Sequence, residues 1–437
     1  MNPPTKPQQR QYSIDPNRGR LESRRIVLPI GYEMYQTEMV TAEQAKACLD
    51  EFMDKYPELF PASMKRGYKL HGWTTSEKMP DVRLRRIRLQ ASDDLGRKLA
   101  YTIAPSDLLP YMTGNVSEIE KALFLKHLGV PDWALTYVFG RNDSFWYRLG
   151  QSFGRYDLVG STVKDAANLP LDLLADEKHA KAHGQKWYIA TTVAQDCVLG
   201  VAVSPTADTD GLHAAYNVFK QEAQQLNAEY TPNSVNVDGW QATSQAWRML
   251  FPSITVVLCF LHAFIKIRDR CKRFGEVYEQ IKQQVWDSYH APDETAFKQR
   301  LSQFKAWVQA NQAQMNHSAV EVLTKLFQRE EQYALAFAHP TAYRTSNMLD
   351  RQMEAMARWL DSGRYFHGNL QAAEQRARAW ALLHNFRPYC PRAKVSEQFQ
   401  SPAHKLNRFV YRENWLENLL VSSSCQTFRC RHKKQLN

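Results

Sequence analysis

Four acids and one Cys–His pair carry most of the reactive chemistry in this sequence. Asp176 closes the apolar run Leu171-Asp172-Leu173-Leu174-Ala175, and Asp238 closes the alternating run Ser234-Val235-Asn236-Val237, so both are expected at strand ends. Asp350 and Glu354 lie on a strongly periodic helix, residues 343–360, in which Leu349, Met353, Met356 and Leu360 recur at 4, 3, 4 spacing. At ~100° per residue, Asp350 falls at the border of that apolar stripe and Glu354 farther round toward solvent. Asp350 is therefore the preferred third acid and Glu354 the alternative. Two-metal phosphodiester chemistry needs carboxylates delivered from separate elements to metals ~4 Å apart. Mg2+ suits such a site, because it takes a few carboxylates and completes its shell with water and substrate phosphate. Each acid also has a plainer reading. Asp176 could be a turn residue beside Glu177, Asp238 an Asp-Gly turn, Asp350 the third residue after an Asn347 N-cap, and Glu354 an i,i+4 partner of Arg358. Three acids on suitable elements in a suitable order weigh against all of them being incidental. Cys259-x-x-His262 is half of a zinc-type ligand set, but Cys425, Cys430 and His432 complete it only at irregular spacing. A cysteine closing a buried strand and a histidine opening the next helix, both near the acids, is the preferred reading.

The elements that must position these side chains begin near residue 166. Strands are expected at 170–176, 186–193 and 197–203, joined by links short enough for an antiparallel meander. A helix follows at 211–227, with Leu212, Ala215, Tyr216, Phe219, Ala223 and Leu226 on one stripe. Then come the Asp238 strand, a helix at 241–250, and an apolar run at 254–260 of the kind that forms a buried parallel strand. Three strands, helix, strand, helix, strand, helix is an RNase H-like order: an α/β fold with a mixed sheet and helices on its faces. Open α/β sheets keep their chemistry at the carboxyl ends of adjacent strands, where Asp176 and Asp238 are expected. The core would run over 166–270 and resume at 341–400 with the returning helix. Residues 271–340 form a helical insertion between them, with stripes at Phe297, Leu301, Phe304 and Val308 and at Val320, Leu323 and Phe327.

The chain has 437 residues, enough for two or three domains, and a formal net charge of +11. That balance favours a polyanionic partner, nucleic acid first. Seven cysteines, most of them isolated, suit a reducing compartment, and no apolar run reaches the ~20 residues of a membrane span. Residues 1–22 are rich in Pro, Gln and Arg, lack the apolar core of a signal peptide, and read as a disordered leader. Residues 23–110 read as an α+β region, with an amphipathic helix at 41–60 capped by Thr41. A hairpin over 82–89 and 97–103 follows, with a basic face of Arg83, Arg85, Arg86 and Arg88. Its apolar positions change face between Leu84 and Ile87, which predicts a bulge near Arg85. This is either a phosphate-contacting ribbon or an edge hairpin protected by charge. Residues 111–165 hold three short helical patterns broken at Gly129 and at Gly140-Arg141-Asn142. This is a helix-turn-helix outline, with Phe145, Trp146, Tyr147 and Arg148 on its last helix. Lys266 stands on the basic helix after His262. Residues 401–437 are expected to form a basic C-terminal tail ending in Arg429, Arg431, Lys433 and Lys434.

Taken together, Asp176, Val237-Asp238-Gly239-Trp240, Cys259-Phe260-Leu261-His262 and Thr345-Ser346-Asn347-Met348-Leu349-Asp350-Arg351 resemble the motif series of bacterial insertion-sequence transposases, closest to the Mutator-like superfamily. The similarity covers roughly residues 165–370. In that family the third acid is usually Glu; the matching position here is Asp350, which makes three aspartates and keeps Glu354 open. The resemblance implies a DDE/DDD-type DNA transposase. Asp176, Asp238 and Asp350 would hold two Mg2+ ions, with Mn2+ able to substitute, and Cys259 and His262 would help order the scissile strand. It further implies cleavage at element ends, strand transfer into target DNA, double-stranded DNA as partner, a homo-oligomer, and a cytoplasmic, nucleoid-associated protein. Trp240 would either stack on an extruded base or pack. Two other readings stand beside this one: an RNase H-like nuclease without joining activity, and a non-catalytic DNA-binding regulator derived from a transposase.

Overall fold

The computed structural model describes residues 24–92 and 98–426. The expected leader, the tip of the basic hairpin and the basic residues 429–434 lie outside them. The chain forms a mixed α/β structure with two mixed sheets. The first contains β1 (Arg25–Leu28), β2 (Tyr68–Ser76), β3 (Met79–Ser92) and β4 (Lys98–Pro105) in the order β1-β4-β3-β2, with β1 and β4 parallel. The second contains β5 (Asp172–Ala182), β6 (Gln185–Ala194), β7 (Cys197–Ser204), β8 (Ser234–Val237) and β9 (Thr255–Leu258) in the order β7-β6-β5-β8-β9. In it, β5, β6 and β7 are antiparallel, whereas β5, β8 and β9 run parallel.

Local chemistry accounts for the meander. His183 and Gly184 both adopt positive φ (49° and 74°), as do Gln195 and Asp196 (49° and 68°). Two consecutive left-handed residues give a tight hairpin loop whose twist matches its strands. Side-chain alternation then sorts the faces. Leu173, Ala175, Val235 and Val237 join the core under helices Thr209–Leu226 and Gln241–Leu250. Leu174, Ala180, Ala182, Ile189 and Val193 join the opposite core, under helices Asn347–Ser362 and Leu370–Phe386. Helices thus cover both faces. The insertion folds as helices Glu276–Tyr289, Glu294–Asn311, His317–Gln328 and Glu330–Ala338, and its stripe of Phe297, Leu301, Phe304 and Val308 is buried.

Several elements differ from expectation. Asp176 does not end a strand: β5 continues to Ala182, because β6 pairs with it along its whole length. Helix Leu370–Phe386 was not expected, since it is apolar almost all round over its second half and gives no amphipathic stripe. Residues 401–424 are not a tail. Helices Pro402–Asn407 and Trp415–Ser422 bury Leu416, Leu419 and Leu420 in the same core as Ile26 and Val27. Near the expected bulge, Leu70 pairs with Ile87 and Trp73 with Arg85, so the extra residue belongs to β2, at His71 and Gly72, with Gly72 at φ 74°.

A buried ion pair clamps helix Leu370–Phe386 to the rest. The Arg378 guanidinium donates to Glu222 at 2.5 Å, to the Tyr156 carbonyl at 3.0 Å and to the Val201 carbonyl at 3.4 Å. The other Glu222 oxygen accepts the Leu158 amide at 2.8 Å. Gly154 lets that helix approach: a Cβ there would stand 1.7 Å from the Gln375 carbonyl oxygen. Farther along, Trp380, His127 and His384 pack as a triangle of rings: Trp380 stacks on His127 at a centroid distance of 5.3 Å and on His384 at 5.4 Å, and the two histidines are 6.0 Å apart. Burial, aided by the charge of Arg387, lowers His384 to about 3 and His127 well below the usual histidine range.

Both rings are therefore neutral in the folded protein but protonate near 6.5 when unfolded. Stability is present above pH 6.5 and is lost as pH falls below it, for His384 down toward 3, by up to ~1.4 kcal/mol per pH unit for each ring. Urea unfolding of wild type at pH 7 and pH 5 should show this loss, and His384→Gln should show a smaller one. An equal loss in both proteins would refute the assignment.

Candidate active site

The β5–β8 register positions two of the acids. Asp172, Leu173 and Leu174 pair with Ser234, Val235 and Asn236. Carried two residues farther, that register brings Asp176 level with Asp238, and the two-residue period puts both on the face covered by helix Asn347–Ser362. Glu177, one residue on, faces the other way. It is buried, and its carboxylate accepts from the Tyr216 hydroxyl at 2.7 Å and the Thr243 hydroxyl at 2.8 Å.

Asp350 comes from the first turn of helix Asn347–Ser362, where the exposed amides of a helix start favour a carboxylate. His262 comes from the first turn of helix Phe260–Cys271, which follows β9. One ligand atom each from Asp176, His262 and Asp350 lies within 4.8 Å of the others. Asp238 is outside that closest group but near enough for its charge to act on Asp176. Its carboxylate accepts the Trp240 amide at 2.7 Å, and Gly239 turns the chain at φ 91°, so the Asp-Gly turn is also present. Glu354 is exposed and ion-paired with Arg358 at 2.6 Å, away from the other acids. Trp240 is half-buried against Tyr188.

Ser346 is the residue that sequence reasoning missed. Helix Asn347–Ser362 begins one residue earlier than an Asn347 cap implies, with Ser346 at the N-cap position. The Ser346 hydroxyl donates to Asp350 Oδ2 at 2.8 Å and lies 3.3 Å from His262 Nδ1 and 3.2 Å from Cys259 Sγ. The Ser346 amide donates to the same sulfur at 3.3 Å. A serine four residues before the acid, at the start of the apolar period, was the available signal.

Burial pushes the Asp176 carboxyl up to about 6; the Glu177 amide opposes this, the nearby charges of Asp238 and Asp350 add to it, and His262 counters. Burial likewise pushes Glu177 up to about 7, against the hydrogen bonds from Tyr216 and Thr243. His262 is raised to about 9, chiefly by its hydrogen bond to Cys259, with burial opposing and the two aspartates assisting. Burial alone would raise the Cys259 thiol, but the His262 contact outweighs it and the thiol is lowered. Two carboxylates from separate elements, with a third carboxylate beside them, make a donor set of hard oxygens, and His262, raised toward its charged form, stands beside them as a cation and not as a ligand. The chemistry of that set fits a divalent cation such as Mg2+ or Mn2+.

The residues expected to touch DNA separate in the structure. Arg83, Arg88, Arg148 and Lys266 are exposed, and Arg86 is half-buried. Arg85 departs from that expectation. It is 8% exposed, its guanidinium donates to the Val40 and Thr41 carbonyls and covers the Trp73 ring, and it holds the sheet to helix Ala42–Lys55. Among the described residues no helix is long and apolar enough to cross a membrane. Neither a scan against protein-family models nor a search of curated proteins returns a match to this chain.

A cation that neutralises this cluster should stabilise the fold, by ~2.7 kcal/mol at a hundredfold excess over its dissociation constant. Mg2+ or Mn2+ should raise the wild-type melting temperature relative to EDTA. Asp176→Asn, which removes a buried charge, should be at least as stable as wild type in EDTA and gain little from metal. Equal metal-induced shifts in both proteins would remove Asp176 from the ligand set.

Proposed function

We propose that this protein is a metal-dependent DNA transposase of the three-aspartate type, cutting DNA at the ends of a mobile element and joining the cut strand to target DNA. The observation that carries the reading is the convergence of Asp176, His262 and Asp350 within 4.8 Å from three separate elements. The strand order β7-β6-β5-β8-β9, with its antiparallel meander and parallel pair, supports an RNase H-like core. Helices Val116–His127, Asp132–Phe139 and Asp143–Ser152 support the helix-turn-helix reading of the preceding region.

Asp176, Asp238 and Asp350 would hold divalent metal. Bound there, it would supply an activated water or 3′-hydroxyl and stabilisation of the leaving oxygen. The protein's own part is positional. The sheet fixes Asp176 and Asp238 at one level, and Ser346 holds the Asp350 carboxylate by one oxygen. The positive charge of His262 offsets carboxylate repulsion and offers a donor to a phosphate oxygen. Lys266, one turn beyond His262 and exposed, extends the positive surface along the expected strand path.

The same site could serve a nuclease that cuts without joining, so the test must read both steps. With Mg2+ and DNA carrying the ends that flank its own coding region, wild type should give nicked donor and covalently joined target products. Asp176→Ala, Asp238→Ala and Asp350→Ala should each lose at least ~10³-fold in rate, as expected when a ligand for transition-state charge is lost. Glu354→Ala should stay within a few-fold of wild type. An active Asp350→Ala with a dead Glu354→Ala would reverse the third assignment. Cleavage without joined products would leave the nuclease.

A further inference from the structure

Away from the acids, two adjoining cavities of about 830 and 340 Å3 open between the first sheet and the three-helix region. They share Pro110, Tyr111, Ser152 and Arg155 as walls. Their linings are strongly one-signed: Arg24, Arg25, Lys78, Arg141, Arg148 and Arg155 supply cations, and among the described residues Glu118 is the one acid in them, already paired with Arg141 at 3.2 Å. Asparagine, glutamine and threonine side chains add hydrogen-bonding groups, beside apolar wall from Val27, Met79, Leu84 and Phe145.

Tyr111 stands between the two chambers and is 57% exposed. Its backbone is left-handed (φ 61°), as is that of Met112 (φ 49°). For residues with a Cβ this conformation costs free energy and persists only where the surroundings over-determine it. Here they do. Met112 is buried, Leu108 bridges Asn115, and the Leu109 amide donates to the Gly114 carbonyl at 3.0 Å. From behind, the Arg25 guanidinium donates to the Leu108 carbonyl at 2.7 Å and the Leu109 carbonyl at 2.9 Å. A strained loop pinned at both ends thus holds an aromatic ring out in a basic channel.

We infer that this channel binds single-stranded nucleic acid, with Tyr111 as a stacking platform for one base and Arg148 and Arg155 on the flanking phosphates. An exposed ring beside a cationic groove is the usual arrangement for unpaired strands, because every base has a π face. Chambers of a few hundred Å3 are of ligand size and admit an unpaired segment more readily than a duplex. The inference shares with the proposed function only its ligand class. It does not need the aspartates to do chemistry, and it adds a place where DNA opened near a cut can be held.

The test uses the full chain in EDTA, with a fluorescent oligodeoxythymidylate of about a dozen nucleotides and a duplex of equal length. Wild type should bind the single strand, and Tyr111→Phe should match it. Tyr111→Gly removes the ring at a position whose backbone favours glycine, and should lose about 5- to 100-fold. Arg155→Gln should flatten the logarithmic salt dependence by ~0.7. Duplex binding should be nearly unchanged by Tyr111→Gly. Single-strand affinity that is the same in wild type and Tyr111→Gly would overturn the inference, as would equal losses for strand and duplex. Mg2+-dependent cleavage by wild type, measured in parallel, separates the two readings. Cleavage with no Tyr111 effect sinks only the channel; a Tyr111 effect with no cleavage sinks only the transposase.

Discussion

The site depends on the pairing register between two parallel strands, β5 and β8, over a short paired stretch. Leu174 opposite Asn236 brings Asp176 opposite Asp238, and the period of two then sends both carboxylates to one face. A slip by one residue on β5 would put Glu177 in that position and turn Asp176 toward Tyr216 and Thr243. What prevents the slip is burial on both sides. Leu173 and Ala175 fill one core and Leu174 the other, so any shift places polar groups in both. The β5–β6 pairing, nine residue pairs long, fixes the same strand from its other edge. The chemistry of the acids therefore rests on apolar packing several residues away.

Having placed these acids, the fold must tolerate them. Asp176 is mostly withdrawn from water, and that burial, with the charges of Asp238 and Asp350 adding to it, raises its pKa and opposes its ionisation. His262 is the internal counterweight. Its charge is supported by Cys259, and Ser346 joins the pair to Asp350 through one hydroxyl. The Cys-x-x-His spacing thus supports the site, and among the described residues no further cysteine or histidine joins the pair in a metal-type group; Cys430 and His432 lie outside them. The cysteine closes β9, the histidine opens the following helix, and the Phe260 amide donates to the Arg344 carbonyl at 3.0 Å, tying that helix to the segment leading into helix Asn347–Ser362. The lowered Cys259 thiol is acceptable here because the His262 cation and the Ser346 amide face it.

Much of this arrangement was legible in the sequence, because the core elements carry clean periods. The three strands, the Leu212-to-Leu226 stripe and helix Gln241–Leu250 follow from spacing alone, and the stripe through Leu349, Met353, Met356 and Leu360 placed Asp350 at the edge of the groove. What escaped had no period or had a misleading one. The second half of helix Leu370–Phe386 is buried on every side, so its sequence lacks a polar face to set its phase. β2 is half-buried and bulged, and alternation fails across Gly72. Arg85 reads as one charge in a basic run, yet it is buried, where backbone carbonyls and Trp73 receive it. The cluster at Ser346 depends on a one-residue difference in where a helix starts, which is finer than propensity resolves.

The last 24 residues before the described chain ends, 403–426, bear on how the halves of the molecule cooperate. The Ser424 hydroxyl donates to the Leu59 carbonyl at 2.6 Å and accepts the Val27 amide at 3.0 Å, and the Cys425 amide donates to the Arg25 carbonyl at 3.1 Å. The far end of the chain therefore holds β1, and through Arg25 it holds the loop that presents Tyr111. One continuous core joins Ile26 and Leu84 of the first sheet to Leu349 and Met353 behind Asp350 and to Leu416 near the C-terminus. The N-terminal region and the acid-bearing sheet therefore do not pack as independent beads on a linker. A ligand that shifts the first sheet works against the same core that positions Asp350. That shared core ties the walls of the basic channel to the helix that carries Asp350.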